Sequence, residues 1–316
     1  MTAAANNTFV YLGGEQEVPD GVTHAVIDRS VKNVRRNAFR DRRRLVSVMF
    51  HDGVEIIEVE AFSGSESLRS IKLLGVREIE EEAFVCCFAL TDVEFGDRLE
   101  TIGIQAFSCC PLRSIKIPSV RTVQQYAFSN CSVLMEAEFG NDLETIDCNS
   151  FVNCINLQRI VIPLKHNLFT FDRDEERYNQ FRECPNLTTV DIVGTERIGN
   201  TISFLLMKSW KDEMNEEIGR INRVLPNAPA EEKTDLIRLW IRSVINRLDH
   251  FRAEHIRLLK DGMTLLELAL WRAKLDEVKR PETAKIDSTI ARSEQRITSG
   301  ADIVIRNVVP FLQLDE

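Results

Sequence analysis

The chain has 316 residues, 44% hydrophobic and 28% charged, with a formal net charge of −9. That is the composition of a soluble globular protein long enough for two domains. Its acidic balance argues against a nucleic-acid binder and against an anionic membrane surface as partner, since both want an excess of Lys and Arg.

Nor does any run approach the roughly 18 apolar residues of a membrane-spanning helix. Met1 to Leu12 has neither the basic start nor the apolar stretch of a secretory signal, so the expected location is cytoplasmic.

Taken in order, residues 1–8 are small and polar and are predicted to be disordered. Phe9-Val10-Tyr11-Leu12 reads as a short strand stopped by Gly13-Gly14, Val18 to Val22 as a turn, and His24 to Asp28 as a second strand. Residues 1–17 are thus the disordered start and the first strand of an N-terminal cap. Arg35 to Arg44 is a basic run around Phe39. A phosphate-binding or import role competes here with a solvated turn on an end coil. The turn is the better reading, because no aromatic residues interleave for base stacking.

From residue 18 to 194 one unit repeats. Its anchors are Phe39, Phe62, Phe84, Phe107, Phe128, Phe151 and Phe181, at spacings of 23, 22, 23, 21, 23 and 30. A period in the twenties means a solenoid, in which no coil buries its apolar face alone and the coils must stack. Within a unit, Leu68-x-x-Ile71-x-Leu73 ends in a period-two strand signal, and a turn with Gly or Pro follows (Gly75, Gly96, Pro118, Gly140, Pro163). Val-x-x-Ile then re-enters the core, and Ala-Phe-x-x-Cys turns the far side. Stacking predicts columns of Phe, Ala and Cys. The ends are atypical: Arg42 and Ser65 replace the Cys, Gln180 replaces the Ala, and Arg173 and Glu176 fall where two aliphatics are expected, within an inserted run from Lys165 to Asn179.

These residues resemble the BspA-type leucine-rich repeats. Ile102-Gly103-Ile104-Gln105-Ala106-Phe107 and Ile115-Lys116-Ile117-Pro118 match that unit closely. The resemblance implies one parallel strand per coil on a concave side and a role in protein recognition. It implies no catalytic residues and no cofactor.

Side chains eight and ten residues after each anchor, or seven and nine after Phe107, are expected to face outward from the concave sheet. One such column is Ser47, Ser70, Asp92, Ser114, Glu136, Arg159 and Thr189; the other is Met49, Lys72, Glu94, Lys116, Glu138, Val161 and Asp191. Ser70, Lys72, Asp92, Glu94, Ser114, Lys116, Glu136, Glu138 and Arg159 are the candidate partner-binding residues, and the centre reads as acidic around Lys116. The paired carboxylates lack the cleft and loop pattern of acid/base or calcium chemistry.

All eight cysteines lie in the repeats, five of them three residues after an anchor Phe. That spacing favours a reduced, buried column over a zinc site, which needs Cys-x-x-Cys or similar local pairs. A disulfide between stacked coils is geometrically conceivable but disfavoured in a reducing compartment.

Residues 195–316 read as a helical domain. A first helix carries Ile198, Ile202, Leu205, Leu206, Trp210, Met214, Ile218, Ile221 and Leu225 at helical spacing and ends at Pro226. A second, Ala230 to Lys260, shares Leu236, Leu239, Trp240, Val244, Leu248, Phe251, His255 and Leu258 on one face. Asp261-Gly262 is expected to turn the chain, and Thr264 to Glu267 to cap a third helix lined by Leu265, Leu268, Ala269, Trp271 and Leu275. Asp261 to Ala269 also resembles the opening of a single ankyrin unit without its Pro and His. A shared way of starting a helix accounts for it, since ankyrin stacks need several units. A break at Lys279 to Glu282, a fourth helix over Ala284 to Gln295 and a strand or helix from Ala301 to Val309 follow. His250 and His255 are five apart, the wrong spacing for a helical metal pair.

The fold class is therefore α+β: a parallel-strand solenoid of about seven coils followed by helices. Its expected function is a non-catalytic protein-interaction scaffold. Two alternatives stand beside it, an enzyme or small-ligand module in the helical region and a surface adhesin or glycan binder.

Overall fold

The computed structural model describes residues 8–170, 179–193 and 204–278. Residues 1–7, Arg173 and Glu176, Ile198 and Ile202, and every element expected after residue 278 lie outside the described residues, as do the side chains of Leu205, Leu206, Trp210, His255 and Leu275.

The repeats form a parallel-strand solenoid. The longer strands are β1 (Thr8–Tyr11), β2 (His24–Ile27), β4 (Ser47–Met49), β6 (Ser70–Leu73), β8 (Asp92–Phe95), β10 (Ser114–Ile117), β12 (Glu136–Phe139), β14 (Arg159–Pro163) and β15 (Thr189–Val193). Two-residue strands alternate with them: β3 (Asn33–Val34), β5 (Ile56–Ile57), β7 (Glu78–Ile79), β9 (Thr101–Ile102), β11 (Thr122–Val123) and β13 (Thr145–Ile146). The short strands make one sheet in the order β13-β11-β9-β7-β5-β3. The longer strands make two, β1-β2-β4-β6-β8 and β10-β12-β14-β15. The expected N-terminal cap is itself an extra parallel strand: β1 pairs with β2, and the Tyr11 ring closes the phenylalanine column 5.2 Å from Phe39.

Residue type explains each column. Alternation in β6 buries Ile71 and Leu73 and exposes Ser70 and Lys72. The anchor rings from Phe39 to Phe128 stack at 4.9–5.6 Å within 8° of parallel, and all are fully buried. The backbone N–H of each anchor from Phe39 to Phe107 donates to the carbonyl of the alanine before the next anchor, as Phe84 does to Ala106 at 2.8 Å. The small alanine leaves room for that approach. Two residues before and after the anchors the backbone is left-handed, for example Asn37 and Asp41, Glu82 and Cys86, Gln105 and Cys109, and Asn149 and Asn153.

The column thiols are donors. Cys87, Cys110, Cys131, Cys154 and Cys184 each give an S–H to the carbonyl of the anchor in the preceding coil, at 3.0–3.3 Å. Ser65 does the same with its hydroxyl to Phe39 at 2.9 Å. Cys and Ser are small side chains that carry a donor. Burial pushes the Cys110 and Cys154 thiols well above their ordinary range, which keeps the proton on the donor.

Turn glycines are required by close approach. A Cβ on Gly140 would stand 1.8 Å from the Pro118 carbonyl oxygen, and one on Gly96 would stand 2.0 Å from that of Leu74. Backbone cannot swing aside as a side-chain end does. Gly140→Ala is therefore expected to cost about 1–3 kcal/mol by overpacking, read as a fall in the urea midpoint. An unchanged midpoint would contradict this coil-to-coil contact.

Where the last coil was expected to place Arg173 and Glu176 in the aliphatic row, Leu168 and Phe169 occupy it. Ile146 donates to Leu168 O at 2.7 Å and bridges to Phe169, and both residues are buried. The aliphatics precede the middle of the insertion, so counting forward from the previous coil misplaced them.

Two long helices follow, α1 (Phe204–Val224) and α2 (Lys233–Val278). No turn occurs at Asp261-Gly262. No proline interrupts α2, and one glycine inside a helix costs only about 1 kcal/mol. Ion pairs of Arg252 with Asp249 and of Arg257 with Glu254 and Asp261 run along this stretch. Thr264 caps nothing; its hydroxyl donates back to Lys260 O at 3.0 Å. The buried stripe of α2 is Ile237, Trp240, Ile241, Val244, Ile245 and Leu248, rotated from the expected face so that Leu239 is exposed. Leu258, Leu265, Leu268 and Trp271 are exposed as well, because the stretch expected to form a third helix continues α2 instead of turning back on it.

The chain divides into two compact units, Met1–Thr195 with Asn215–Ile245, and Glu196–Met214 with Asn246–Glu316. The helical stretch Asn215–Ile245 thus belongs to the unit that holds the repeats.

Candidate interaction surface

Strand alternation turns every second side chain of the longer strands outward, and in-register pairing aligns them across coils. Ser70 pairs with Asp92 and Lys72 with Glu94; Ser114 pairs with Glu136 and Lys116 with Glu138; Glu136 pairs with Arg159. The structure brings all nine candidate residues to one face. Ser70, Lys72, Asp92, Glu94, Ser114, Lys116 and Glu136 are exposed, and Glu138 and Arg159 half-buried. Val161, counted among the outward positions, is buried, and Met49 is 60% exposed.

The electrostatics differ from the acidic centre expected. Lys72 meets Glu94 at 2.5 Å, and Lys116 meets Glu138 at 2.8 Å. Arg159 reaches Asp191 at 2.7 Å and Glu136 at 3.4 Å. The hydrogen bond it donates to Glu94 holds the Lys72 ammonium above its ordinary value, and the one Arg159 donates to Asp191 does the same for its guanidinium. Lys72, Glu94, Lys116 and Glu138 alternate in sign along one column, and Glu136 meets Arg159 one coil away in the other, where Asp92 is paired in register with Ser70.

A seam crosses this face. The coil of Phe107 is one residue short between Cys110 and Leu112, and the sheet ends at β8 and restarts at β10. Glu94 and Lys116 stand on its two sides.

A second charge column escaped sequence reasoning. Lys32, Glu55, Arg77, Glu100, Arg121 and Glu144 lie immediately or one residue before the short strands, and each backbone N–H after Lys32 donates to the carbonyl of the residue one coil earlier. Lys32–Glu55, Arg77–Glu100 and Arg121–Glu144 form ion pairs at 3.3, 2.7 and 2.5 Å. Hydrogen bonding to Glu100 and to Glu144 raises the Arg77 and Arg121 guanidinium values, and Arg121 lowers the Glu144 carboxyl. An open polar groove of about 860 Å³ runs along Arg77 to Glu144, with Arg98 and Lys165 beside it. Sign alternation at the repeat period was the signal that could have revealed it.

The basic run is largely paired. Arg40 meets Glu60, Arg42 meets Asp20, and Arg43 meets Glu66, as befits a solvated turn on an end coil. Among the described residues no three His, Cys, Asp or Glu side chains gather as metal ligands. No described helix is long and apolar enough to cross a membrane.

The repeat geometry agrees with a sequence-family match. The model of the BspA type leucine rich repeat region fits residues 20–135 and 74–188 in six copies, just over half of the chain. The chain belongs to the BspA-type leucine-rich repeat family.

Solved structures similar to this BspA-type chain include a leucine-rich repeat protein from Bacteroides ovatus, 21% identical over 54% of this chain and 61% of that one, with a TM-score of 0.33. A leucine-rich repeat protein of T. pallidum is 26% identical over 43% of this chain and 65% of that one, with a TM-score of 0.38. A leucine rich cell surface protein from Faecalibacterium prausnitzii is 16% identical over 60% and 88%, with a TM-score of 0.27. This chain covers less than two thirds of the length of the first two. No curated protein is significantly similar in sequence. Leucine-rich repeats of this class are commonly interaction or adhesion modules and are typically non-catalytic.

Proposed function

We propose that this BspA-type chain is a non-catalytic scaffold that binds a protein partner on the concave sheet. The observation that carries the reading is the register of Ser70, Lys72, Asp92, Glu94, Ser114, Lys116 and Glu136. On each side of the seam they form an exposed grid whose rows are spaced by about 4.8 Å, the separation of adjacent strands. Because the charges alternate, a partner is selected by matching a pattern of signs rather than by net attraction, so specificity exceeds steering. The second unit favours a second interface: along α2 the apolar side chains Ile256, Met263, Leu265, Leu268, Leu270 and Trp271 are exposed.

The test is the triple variant Glu94→Lys, Glu136→Lys, Glu138→Lys in a quantitative pull-down from native lysate. It replaces the partners of Lys72, Lys116 and Arg159 with like charges on an exposed face. The variant is expected to unfold cooperatively near the wild-type midpoint and to lose its partner at least tenfold. Undiminished binding by the folded variant would move the interface to the helices or to the second charge column. Capture of nothing by either protein would favour a small ligand or a glycan.

A further inference from the structure

Three of the eight cysteines stand outside the column; Cys148 is buried, and the other two are not. Cys86 and Cys109 occupy the left-handed position two residues after Phe84 and Phe107, with φ of 58° and 62°. Both are half-buried, whereas Cys87, Cys110, Cys131, Cys154 and Cys184 are fully buried. The column thiols donate to anchor carbonyls; this pair faces a different environment.

The backbone places the two in register. Cys86 N–H donates to Ser108 O and Cys109 N–H to Ser129 O, both at 2.9 Å, so the same position recurs one coil along. The next two coils show how close side chains come there: Asn153 Nδ2 donates to Asn130 Oδ1 at 2.8 Å. Burial first, and then the neighbouring Cys109, push the Cys86 thiol up. The Ser108 hydroxyl lies 3.7 Å from Cys109 Sγ. Adjacent coils about 4.8 Å apart fall inside the Cα window of roughly 4.4–6.8 Å that a disulfide spans.

We propose that Cys86 and Cys109 form a surface dithiol that a low-molecular-weight disulfide oxidises to a coil-to-coil cross-link. The thiolate of one cysteine attacks a sulfur of the reagent. A mixed disulfide forms, the reagent's S–S bond breaks, and one small thiolate leaves. The second cysteine's thiolate then attacks the protein sulfur of that mixed disulfide, forming the Cys86–Cys109 bond and expelling the second small thiolate. Two electrons pass from the protein sulfurs to the reagent, and the two cysteine protons end on the two released thiols. The cross-link joins two coils across the sheet seam, since β8 follows Cys86 and β10 follows Cys109. It thereby ties together the halves of the face that β8 and β10 divide.

The experiment treats the folded, full-length protein with glutathione disulfide, quenches by acid, denatures, alkylates, and maps peptides by mass. The expected product is one intramolecular link between the peptides of Cys86 and Cys109, with the other six thiols alkylated. In Cys109→Ser the same treatment is expected to leave Cys86 as a persistent mixed disulfide with glutathione. Stable mixed disulfides on both residues of the wild type without a link would overturn the proposal. So would a link involving a column cysteine, or full alkylation of both thiols.

Discussion

Phe107→Ala is expected to lower the unfolding free energy by about 3–5 kcal/mol, the range for a buried aromatic truncated to alanine. The ring is fully buried. It stacks on Phe84 at 5.1 Å and on Phe128 at 5.6 Å, and meets Phe95 edge-on at 5.7 Å. Removing it leaves a void with aromatic walls on three sides. The rings above and below are held by their own coils, Phe84 N–H bonded to Ala106 O and Phe128 N–H to Ser150 O, so the void cannot close by sliding one ring onto the next. The domain's whole stability is of the order of 5–15 kcal/mol, so this single change consumes a large share. Phe107→Asp should be worse, because an unpaired carboxylate would lie in the aromatic column. Urea denaturation followed by far-UV circular dichroism reads both. Phe88→Ala, whose ring is 57% exposed, is the control and should fall within about 0.5 kcal/mol of wild type. Wild-type stability in Phe107→Ala would sink the stacked-column account.

The column was legible because an aromatic residue recurs at a near-fixed period, with alanine before it and cysteine after it in most coils. Counting from the anchors also located the outward residues, since side-chain alternation along a strand has a strict period of two. Counting could not reveal what those residues touch. Asp92, Glu94, Glu136 and Glu138 read as an acidic centre when followed down the columns, yet Glu94, Glu136 and Glu138 each meet a base on a neighbouring strand. The cysteine spacing was plain in the sequence, but its reason was not: the thiol is a donor to an anchor carbonyl, a role that Ser65 shares. The left-handed positions were hidden because Asn, Glu, Gln, Cys and Tyr all occupy them. In the helices, local punctuation misled. Asp261-Gly262 and the Thr264-to-Glu267 box are signals worth about a kcal/mol each, and a helix already propagating through them adds one backbone bond per residue.

The solenoid's far end explains why helical residues belong to its unit. A last coil has donors and acceptors that the next coil would have satisfied, and here side chains of α1 and α2 and a backbone carbonyl between them supply partners. Phe181 N–H, lacking a following alanine carbonyl, donates to Thr234 Oγ1 at 3.1 Å. Asn222 takes both backbone groups of Val190: its Oδ1 accepts from the N–H at 2.8 Å and its Nδ2 donates to the carbonyl at 3.3 Å. Asn179 Nδ2 donates to Glu231 O at 2.7 Å. Lys233 is fully buried, and its Nζ donates to Pro185 O at 2.6 Å and to Leu187 O at 2.7 Å.

Lys233→Met keeps the length and apolar bulk of the side chain and removes only the donors. The buried Leu187 carbonyl loses its partner, and the part-buried Pro185 carbonyl loses its own, so the expected loss is about 1–3 kcal/mol, the cost of leaving one buried group unsatisfied. Thr234→Val should cost about 1–2 kcal/mol on the same grounds. The two residues clamp one coil end, so the double variant should lose less than the sum. Burial pushes the Lys233 ammonium below its ordinary value of 10.5. A neutral amine still carries two N–H groups, enough for both carbonyls. With the folded value depressed, the unfolded chain binds more protons between that value and 10.5, so stability from this group rises with pH through that window. It is fully present above 10.5 and is lost as pH falls through the folded value. Lys233→Met should remove this slope while also lowering the urea midpoint at neutral pH. If the midpoint is unchanged, α2 does not cap the repeats, and the stability of the last coil must come from Leu187, Val190 and the phenylalanine column alone.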